Sequence, residues 1–242
     1  MLSGMPGPVA LIGAGEFLAA MADFDRLLLA ATASPRPRVA VVPTAAYPDG
    51  EEAFRRRAAI GAEHFGALGG EVEAVLVRDR SDADDPVNAQ AVGEADLVYF
   101  SGGQPAHLLE TLVGSRVWAA AQAAHARGAV LAGCAAGAMV LAGRQFILRR
   151  PLLGLPLRWP EALGVVPGAA VFPRYNAWPE PVSALLVLAA PRDTTIIGID
   201  EETALLGHDG SWQVHGRSRV TVWRGRDRVR HRAGDVFRLP GP

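Results

Sequence analysis

The chain has 242 residues, half of them hydrophobic and 20% charged, which supplies enough apolar side chain for a buried core and excludes intrinsic disorder. Its formal net charge of −1 excludes the strongly basic surface that bulk electrostatic binding of nucleic acid requires. The single cysteine, Cys134, cannot form an internal disulfide, and all 24 cationic residues are arginine, so no lysine can act as a Schiff base or general base.

The first two thirds of the chain alternate short apolar runs with longer segments of helical spacing. Strands are predicted at residues 8–13, 38–46, 71–77, 95–100 and 129–133, and helices at residues 16–32 and 51–68. Runs that are apolar on both faces suit the inside of a parallel sheet covered by helices, because a sheet with one wet face would alternate. The predicted class is α/β, a doubly wound, mostly parallel sheet flanked by helices.

Beyond residue 192, the pattern changes to short strands separated by Gly, Asp and Ser turn signals. These strands are predicted at residues 195–200, 203–208, 212–215 and 219–223. We expect them to form a C-terminal β meander packed on the sheet edge. Because the chain contains no Ser/Gly-rich linker, low-complexity tract or internal repeat, residues 1–242 are predicted to form a single domain.

No segment predicts export or membrane insertion. The first eight residues lack the basic start and the cleavage site of a signal peptide, and charged residues interrupt every apolar run before it could span a bilayer. Since nothing demands an oxidising compartment, we expect a cytoplasmic protein that binds neither membrane nor nucleic acid.

Two glycine-containing turns follow predicted strands and enter predicted helices. Residues 13–15 (Gly-Ala-Gly) stand where a dinucleotide fold has its phosphate loop, but Leu18 replaces the third glycine, which favours a plain tight turn. The second turn contains Gly102, Gly103 and Gln104. Its glycines allow the backbone to approach a ligand and to turn N–H groups toward an oxyanion or carboxylate, and a structural turn is the alternative.

Residues 131–138 carry the strongest chemical signal. They read Leu-Ala-Gly-Cys-Ala-Ala-Gly-Ala, a buried strand that runs directly into a helix of small residues. A nucleophile elbow requires small residues on both sides of its tip, because the strained strand-turn-helix leaves no room for larger side chains. Gly133 and Gly137 flank Ala135, so the residue at the tip has no nucleophilic atom.

Four segments in this order resemble a known family. They are residues 11–17 (Leu-Ile-Gly-Ala-Gly-Glu-Phe), the turn at 102–104, the elbow, and residues 198–204 (Gly-Ile-Asp-Glu-Glu-Thr-Ala). At these intervals the chain is similar to the serine peptidases that include cyanophycinase and the α-aspartyl dipeptidase called peptidase E. The resemblance covers nearly the whole chain and implies a single class I glutamine amidotransferase-like domain and an activity on aspartyl peptides.

The chain departs from the family at the catalytic positions. The elbow pattern Gly-x-Ser-Ala-Gly-Ala puts Ala135 at the serine position and Ala136 beside the oxyanion site. The family's Pro-His-Phe/Tyr segment corresponds to residues 173–175, which puts Arg174 at the histidine position. The family's acid lies between these two, yet residues 136–160 contain no Asp or Glu. Because a triad acts as a unit, the prediction is a pseudoenzyme with a binding or scaffold role and no cofactor.

An active hydrolase of aspartyl peptides is the alternative. An alanine engineered at the elbow to trap substrate would leave the histidine and the acid in place, so three absences favour natural loss. Cys134 offers another nucleophile, since amidotransferases of this fold use cysteine at the elbow, but it stands one position early. His107, after the glycine turn, is the histidine placed to reach the site. A buried free cysteine is usually inert packing.

The residues around Arg174 are compatible with two interpretations. Tyr175, Asn176 and Trp178 follow it, and Trp159 precedes it. Arginine among aromatic residues suits a peptide or a small anionic ligand, although the same side chains would equally fill a pocket by themselves.

Metal ligands are not predicted. The six histidines show no ligand spacing such as His-x-x-x-His, and one cysteine cannot build a structural zinc site. The acidic cluster Asp200-Glu201-Glu202 is a candidate for holding a cation, but the resemblance assigns it a structural role at a strand end.

Two segments predict surface features. If residues 228–232 form a strand, Arg228, Arg230 and Arg232 share one face, either to meet phosphates or as a charged edge that resists aggregation. Residues 182–190 are apolar on nearly every face, which is more than a helix on a sheet usually buries. This surplus predicts a homodimer.

Overall fold

The computed structural model describes residues 5–147 and 158–239. In chain order, the strands are β1 (Val9–Ile12), β2 (Arg38–Val42), β3 (Glu71–Ala74), β4 (Leu97–Phe100), β5 (Val130–Cys134), β6 (Ala142–Arg144), β7 (Val166–Pro173), β8 (Thr195–Ile199), β9 (Thr203–His208), β10 (Ser211–Gly216), β11 (Arg219–Arg224), β12 (Asp227–Arg232) and β13 (Val236–Arg238). The α-helices are α1 (Ala22–Ala30), α2 (Glu51–Ala67), α3 (Arg80–Ala83), α4 (Pro86–Gly93), α5 (Pro105–Leu112), α6 (Arg116–Ala126), α7 (Ala136–Leu141) and α8 (Glu180–Leu188).

Two sheets form the framework. The first has the strand order β13-β10-β9-β1-β5-β4-β2-β3, and the second has the order β12-β11-β8-β7-β6. Strands β1 to β5 run parallel in the first sheet, and β6 to β8 run parallel in the second. The predicted α/β class, with mostly parallel strands flanked by helices, is confirmed, and its parallel strands are divided between two sheets.

Buried side chains form three clusters that separate the layers. One cluster joins both sheets with helices α4 to α7 and includes Leu11 of β1 and Ile197 of β8. A second lies between the first sheet and helices α1 and α2, around Phe65. A third packs α8 on the second sheet through Leu186. The two sheets therefore share one of these clusters.

The C-terminal strands divide between the two sheets. β9 and β10 form a hairpin that extends the first sheet, whereas β8 pairs with β11 in the second, with Val220 opposite Ile199. The four strands expected to form a meander are therefore shared between the sheets, with the β9–β10 hairpin in the first and the β8–β11 pair in the second. Local periodicity identifies a strand, but its partner is chosen by contacts between distant parts of the chain.

The helix predicted at residues 16–32 begins later than expected. A short 3-10 turn covers Ala19–Met21, and α1 follows it. Phe17 has a φ of 63°, which no residue inside an α-helix adopts. Glu16 is therefore part of a loop rather than the first turn of the helix. None of the helices within residues 5–147 and 158–239 has the length and apolar character to cross a membrane.

The two predicted surface features lie next to each other. In α8, the side chains of Val182, Leu185 and Leu188 are exposed apolar groups. β12 is an edge strand, and its Arg228 and Arg230 both form ion pairs with Glu180 at the start of α8. These pairs favour the charged edge over a phosphate site.

Candidate functional site

Ala135 lies at a sharp turn between β5 and α7. Its backbone has φ 48° and ψ −104°, a conformation that residues with a side chain rarely adopt. The Ala135 N–H donates to the Ile12 carbonyl at 2.9 Å, and the Ala135 carbonyl accepts from the Met139 N–H at 3.0 Å. Its immediate neighbours are buried, whereas Ala135 itself is partly exposed at the carboxyl edge of the first sheet.

Glycines on both sides make this turn possible. A Cβ atom on Gly133 would overlap the backbone of Gly137, and one on Gly137 would overlap the Phe100 carbonyl at the end of β4. Ala136, predicted to adjoin the oxyanion site, is buried as the first residue of α7. The small residues at this elbow are therefore required by the close packing of α7 on β4 and β5.

The Gly102 N–H, just beyond β4, binds a carboxylate of this chain. It donates to Glu16 Oε2 at 2.8 Å, and Glu16 also forms an ion pair with Arg57 of α2. A Cβ atom placed on Gly102 would lie 3.2 Å from Glu16 Oε1 and 3.3 Å from the Cβ of Ala135. The carboxylate and the elbow methyl group therefore flank the same glycine.

Neither Glu16 nor Arg57 was identified from the sequence. The Glu16 side chain is only 8% exposed, and it stands between Gly15, with φ 91°, and Phe17, with φ 63°. The available signal was the Gly-Ala-Gly-Glu-Phe segment of the family resemblance. From the sequence, that segment predicts a tight turn followed by the start of a helix, which assigns Glu16 no partner.

Gly103 and Gln104 anchor the glycine turn on the loop after β2. The Gln104 N–H donates to the Ala45 carbonyl at 2.7 Å, and Gln104 Nε2 lies 3.4 Å from Asp49 Oδ1. Gly103 has φ 146°, and a Cβ atom there would overlap the Ala45 carbonyl. Within the predicted ligand turn, Gly102 thus faces the elbow, while the next two residues fix its position.

Arg174 has a carboxylate partner. Its Nε donates to Glu201 Oε1 at 3.0 Å, and both side chains are partly exposed. The Glu201 N–H donates to Asn176 Oδ1 at 2.9 Å, which fixes the loop after β8 next to the loop after β7. Residues 136–160 contain no acid, but Glu201, from the acidic cluster at residues 200–202, provides a carboxylate partner for Arg174.

The loops after β8 and β1 are packed together. The Glu202 N–H donates to the Ala14 carbonyl at 3.1 Å, and a Cβ atom on Gly13 would overlap the Asp200 carbonyl. The carboxyl edges of the two sheets therefore meet here, with the elbow on the first sheet and Arg174 on the second.

Backbone strain is concentrated at this edge. Among residues 5–147 and 158–239, five residues other than glycine have positive φ. Four of them lie in these loops: Phe17, Ala135, Arg174 and Glu202. Strained backbone conformations cluster at binding and catalytic sites, because packing has to hold them against their local preference. This edge is therefore the candidate functional site.

Cys134 is enclosed beneath the elbow. It is the last residue of β5, is 1% exposed, and packs in the core between the first sheet and helices α1 and α2. Burial raises the pKa of its thiol to about 12, which leaves roughly one thiolate in 10⁵ molecules at pH 7. The thiol lacks both the access and the ionisation that a nucleophile needs.

The ring of His107 contacts the loops after β2 and β3. Its Nε2 donates to the Arg78 carbonyl at 2.8 Å, and the ring stacks on Tyr47 with 6.0 Å between centroids. Because a carbonyl can only accept, Nε2 carries the proton in this arrangement. These contacts give His107 a structural role between two loops, and its predicted reach to the elbow finds no support in them.

The aromatic residues near Arg174 pack largely on their own neighbours. The Tyr175 hydroxyl accepts from Trp223 Nε1 at 2.9 Å. Trp178 meets Phe146 edge to face, with 6.5 Å between centroids. Of the two alternatives left open by the sequence, the structure favours the one in which these rings fill the space between α8 and the second sheet.

Metal-ligating side chains are not clustered in the part of the chain that the structure describes, where no group of three or more His, Cys, Asp or Glu is placed to hold an ion. The buried Asp200 instead accepts a hydrogen bond from the Ser218 hydroxyl at 2.6 Å and lies 3.6 Å from Arg219 Nε. These contacts link the end of β8 to β11 and support a structural role for Asp200.

Comparison with known proteins identifies the family and similar folds. A family model for peptidase family S51 matches residues 9–215. A crystal structure of a peptidase from an acI-B1 actinobacterium superimposes with a TM-score of 0.85, at 32% identity over 98% of each chain. A candidate peptidase E protein from Listeria monocytogenes EGD-e shares the fold, with a TM-score of 0.64 and 18% identity over 88% of this chain and 100% of that one. No curated protein matches the chain.

Proposed function

Because the chain belongs to peptidase family S51, as its cyanophycinase and peptidase E motifs indicated, we propose that it is a binding or scaffold protein that has lost serine peptidase chemistry. Ala135 carries this proposal, since the elbow keeps its strained backbone but ends in a methyl group. A serine peptidase forms its acyl-enzyme through a hydroxyl at this point. A methyl group cannot form that bond.

Position 174 supports the same conclusion. A guanidinium stays protonated near neutral pH and cannot accept a proton from a nucleophile. Arg174 Nε donates a hydrogen bond to Glu201 Oε1. The carboxylate at this position therefore orients a cation rather than a base.

Glu16 supports it as well. A site that stabilises an oxyanion aims N–H donors at the point where negative charge develops. The Gly102 N–H already holds the Glu16 carboxylate, whose other oxygen lies on the Ala135 side of that glycine. A tetrahedral oxyanion formed there would meet a like charge and an occupied donor.

We expect the ligand to be a peptide or a small anion and the protein to act as a cytoplasmic homodimer. The exposed apolar side of α8, with Leu185 67% exposed, supports the dimer. Leu185→Asp should convert a dimer into a monomer in light scattering. A wild-type mass of 25.5 kDa at micromolar concentration would contradict the dimer.

One observation favours an active hydrolase of aspartyl peptides as the second candidate. The actinobacterial protein described as a peptidase is 32% identical to this chain, and the match covers 98% of each chain. Hydrolysis through Cys134 would require the core beneath the elbow to open, because the thiol is buried and un-ionised.

Two measurements on the purified wild type separate these candidates. It should hydrolyse neither α-aspartyl dipeptides nor β-aspartyl-arginine polymer, and a fluorophosphonate probe should not label it, whereas an active serine peptidase run in parallel shows both. Turnover that disappears in Cys134→Ala would overturn the proposal in favour of a cysteine hydrolase. Turnover that survives in Cys134→Ala but disappears in Glu16→Ala would overturn it in favour of a non-covalent hydrolase.

A further inference from the structure

Glu16 is held as the carboxylate of a ligand would be held. We infer that the Gly102 N–H and the Arg57 guanidinium form a binding site for a ligand carboxylate beside Ala135, and that Glu16 fills this site in the free protein. The inference rests on the proposed binding function and specifies the chemical group that the site recognises.

Two donors of different kinds converge on Glu16. The Gly102 N–H donates to Oε2 at 2.8 Å, and the Arg57 guanidinium pairs with the same carboxylate. A backbone amide combined with a guanidinium forms strong, charge-assisted hydrogen bonds to a carboxylate. Gly102 follows β4 and Arg57 belongs to α2, so neither donor depends on the loop that carries Glu16. Both remain available if another carboxylate takes its place.

The Glu16 carboxylate lies beside the elbow, next to positions that are open to solvent. Glu16 Oε1 and the Ala135 methyl group both lie just over 3 Å from the point that a Gly102 side chain would occupy. Ala135 is partly exposed, whereas the Glu16 side chain is 8% exposed. The Arg57 side chain is 38% exposed, so a ligand can approach this donor from solvent.

The loop holds Glu16 in place against its own backbone preference. Gly15 and Phe17 on either side of Glu16 both have positive φ, and an aromatic residue rarely adopts this conformation. The Phe17 ring is fixed by Tyr99, with 5.3 Å between ring centroids, and by Gly61, where a Cβ atom would lie 2.9 Å from the ring. Strain of this kind is retained where a side chain has to be presented at a site.

Charge dictates how a ligand would bind. A second carboxylate placed beside Glu16 would be repelled in this largely buried environment. The ligand carboxylate must therefore replace Glu16 rather than join it. Removal of the Glu16 charge should strengthen binding of carboxylates, and removal of Arg57 should abolish the gain.

The experiment uses acetate as the probe, with chloride at equal ionic strength as the control. Thermal unfolding and titration calorimetry are measured for wild type, Glu16→Ala, Glu16→Gln and the double variant Glu16→Ala/Arg57→Ala. We expect acetate to raise the Tm of Glu16→Ala saturably and to bind Glu16→Ala and Glu16→Gln at least tenfold more tightly than wild type. The double variant should lose this gain. N-acetylalanine, which mimics a peptide C-terminus, and N-acetylalaninamide, which lacks the carboxylate, are applied to the same variants. Only N-acetylalanine should bind.

Several results would overturn the inference. One is equal stabilisation by acetate in Glu16→Ala and in the double variant, since it would reflect a general salt effect. Another is that Glu16→Gln binds acetate no more tightly than wild type. This variant keeps the size of the side chain and can be measured even if Glu16→Ala fails to fold. Binding of the amide as tightly as the acid would do the same. None of these results changes whether the wild type hydrolyses peptides, so the proposed function stands or falls separately.

Discussion

Replacement of Ala135 by glycine should stabilise the protein, although glycine usually weakens a folded chain. The backbone at this position has φ 48° and ψ −104°. Residues with a Cβ atom that are held in such regions cost of order 1–3 kcal/mol. Glycine adopts the same conformation without a clash.

Two losses reduce this gain in stability without cancelling it. Glycine gives the unfolded chain more conformational freedom, which costs about 0.5–1 kcal/mol. The Ala135 methyl group packs on the core around Phe65 but is partly exposed, so its removal costs less than the value of about 0.8 kcal/mol for a buried methylene. If the backbone strain lies near the middle of its range, the free energy of unfolding of Ala135→Gly should rise by about 0.5–1 kcal/mol. This corresponds to a Tm increase of about 1–4 °C.

Urea denaturation of wild type, Ala135→Gly and Ala136→Gly provides the measurement. Ala136 is the matched control, since it is the adjacent alanine and is 2% exposed as the first residue of α7. Glycine at that position should lower the free energy of unfolding by about 1 kcal/mol, because it removes a buried methyl group and weakens the helix. The reasoning is wrong if Ala135→Gly is no more stable than wild type.

Three further predictions concern the elbow. Ala135→Ser should fold and show no aspartyl dipeptide hydrolysis, and the double variant with Arg174→His should show at most weak turnover. The reason is that Glu16 already occupies the Gly102 N–H, the donor for an oxyanion. Rapid hydrolysis by Ala135→Ser alone would reveal a base that the structure does not place there. Cys134 should react with Ellman's reagent at pH 8 only after unfolding. Folding raises the pKa of the Cys134 thiol from 9.0 to about 12. The stability that this shift contributes is present below pH 9 and is lost as the pH rises toward 12. Cys134→Ala should therefore reduce the loss of stability in alkaline urea titrations. Gly137→Ala should lower the free energy of unfolding by about 3 kcal/mol through overlap with the end of β4, whereas Gly66→Ala in α2, where the added Cβ atom meets nothing within 4 Å, should raise it by about 1 kcal/mol in the same urea assay.

Local rules explain why the strands and the elbow were predictable. β1 and β4 lie inside segments predicted as strands, because continuous apolar runs can be buried only within a covered sheet. Gly133 and Gly137 were informative for a similar reason. Each stands where the chain approaches another backbone too closely for a side chain, and that requirement is visible as a small residue at a fixed distance from the tip.

The charged partners at the site were not predictable from the sequence. Glu16 lies 86 residues before Gly102 in the chain, and Glu201 lies 27 residues after Arg174. The periodicity that placed Glu16 in a helix was overridden by the packing of Phe17 on Tyr99, which holds the loop in a left-handed conformation. A pattern of helical spacing contains no information about such a contact.

The sequence by itself determined the class of fold, the positions of the buried strands and the small-residue elbow around Ala135, because these depend on side-chain periodicity and on the size of adjacent residues. Tertiary structure alone decided that the Gly102 N–H faces Glu16, that Arg174 has a carboxylate partner, and which sheet each C-terminal strand joins. With 25 acidic and 24 cationic residues in the chain, many ion pairs are equally compatible with local preference. Only the path of the chain, set by the packing of two sheets against their helices, brings particular charges and particular strands into contact.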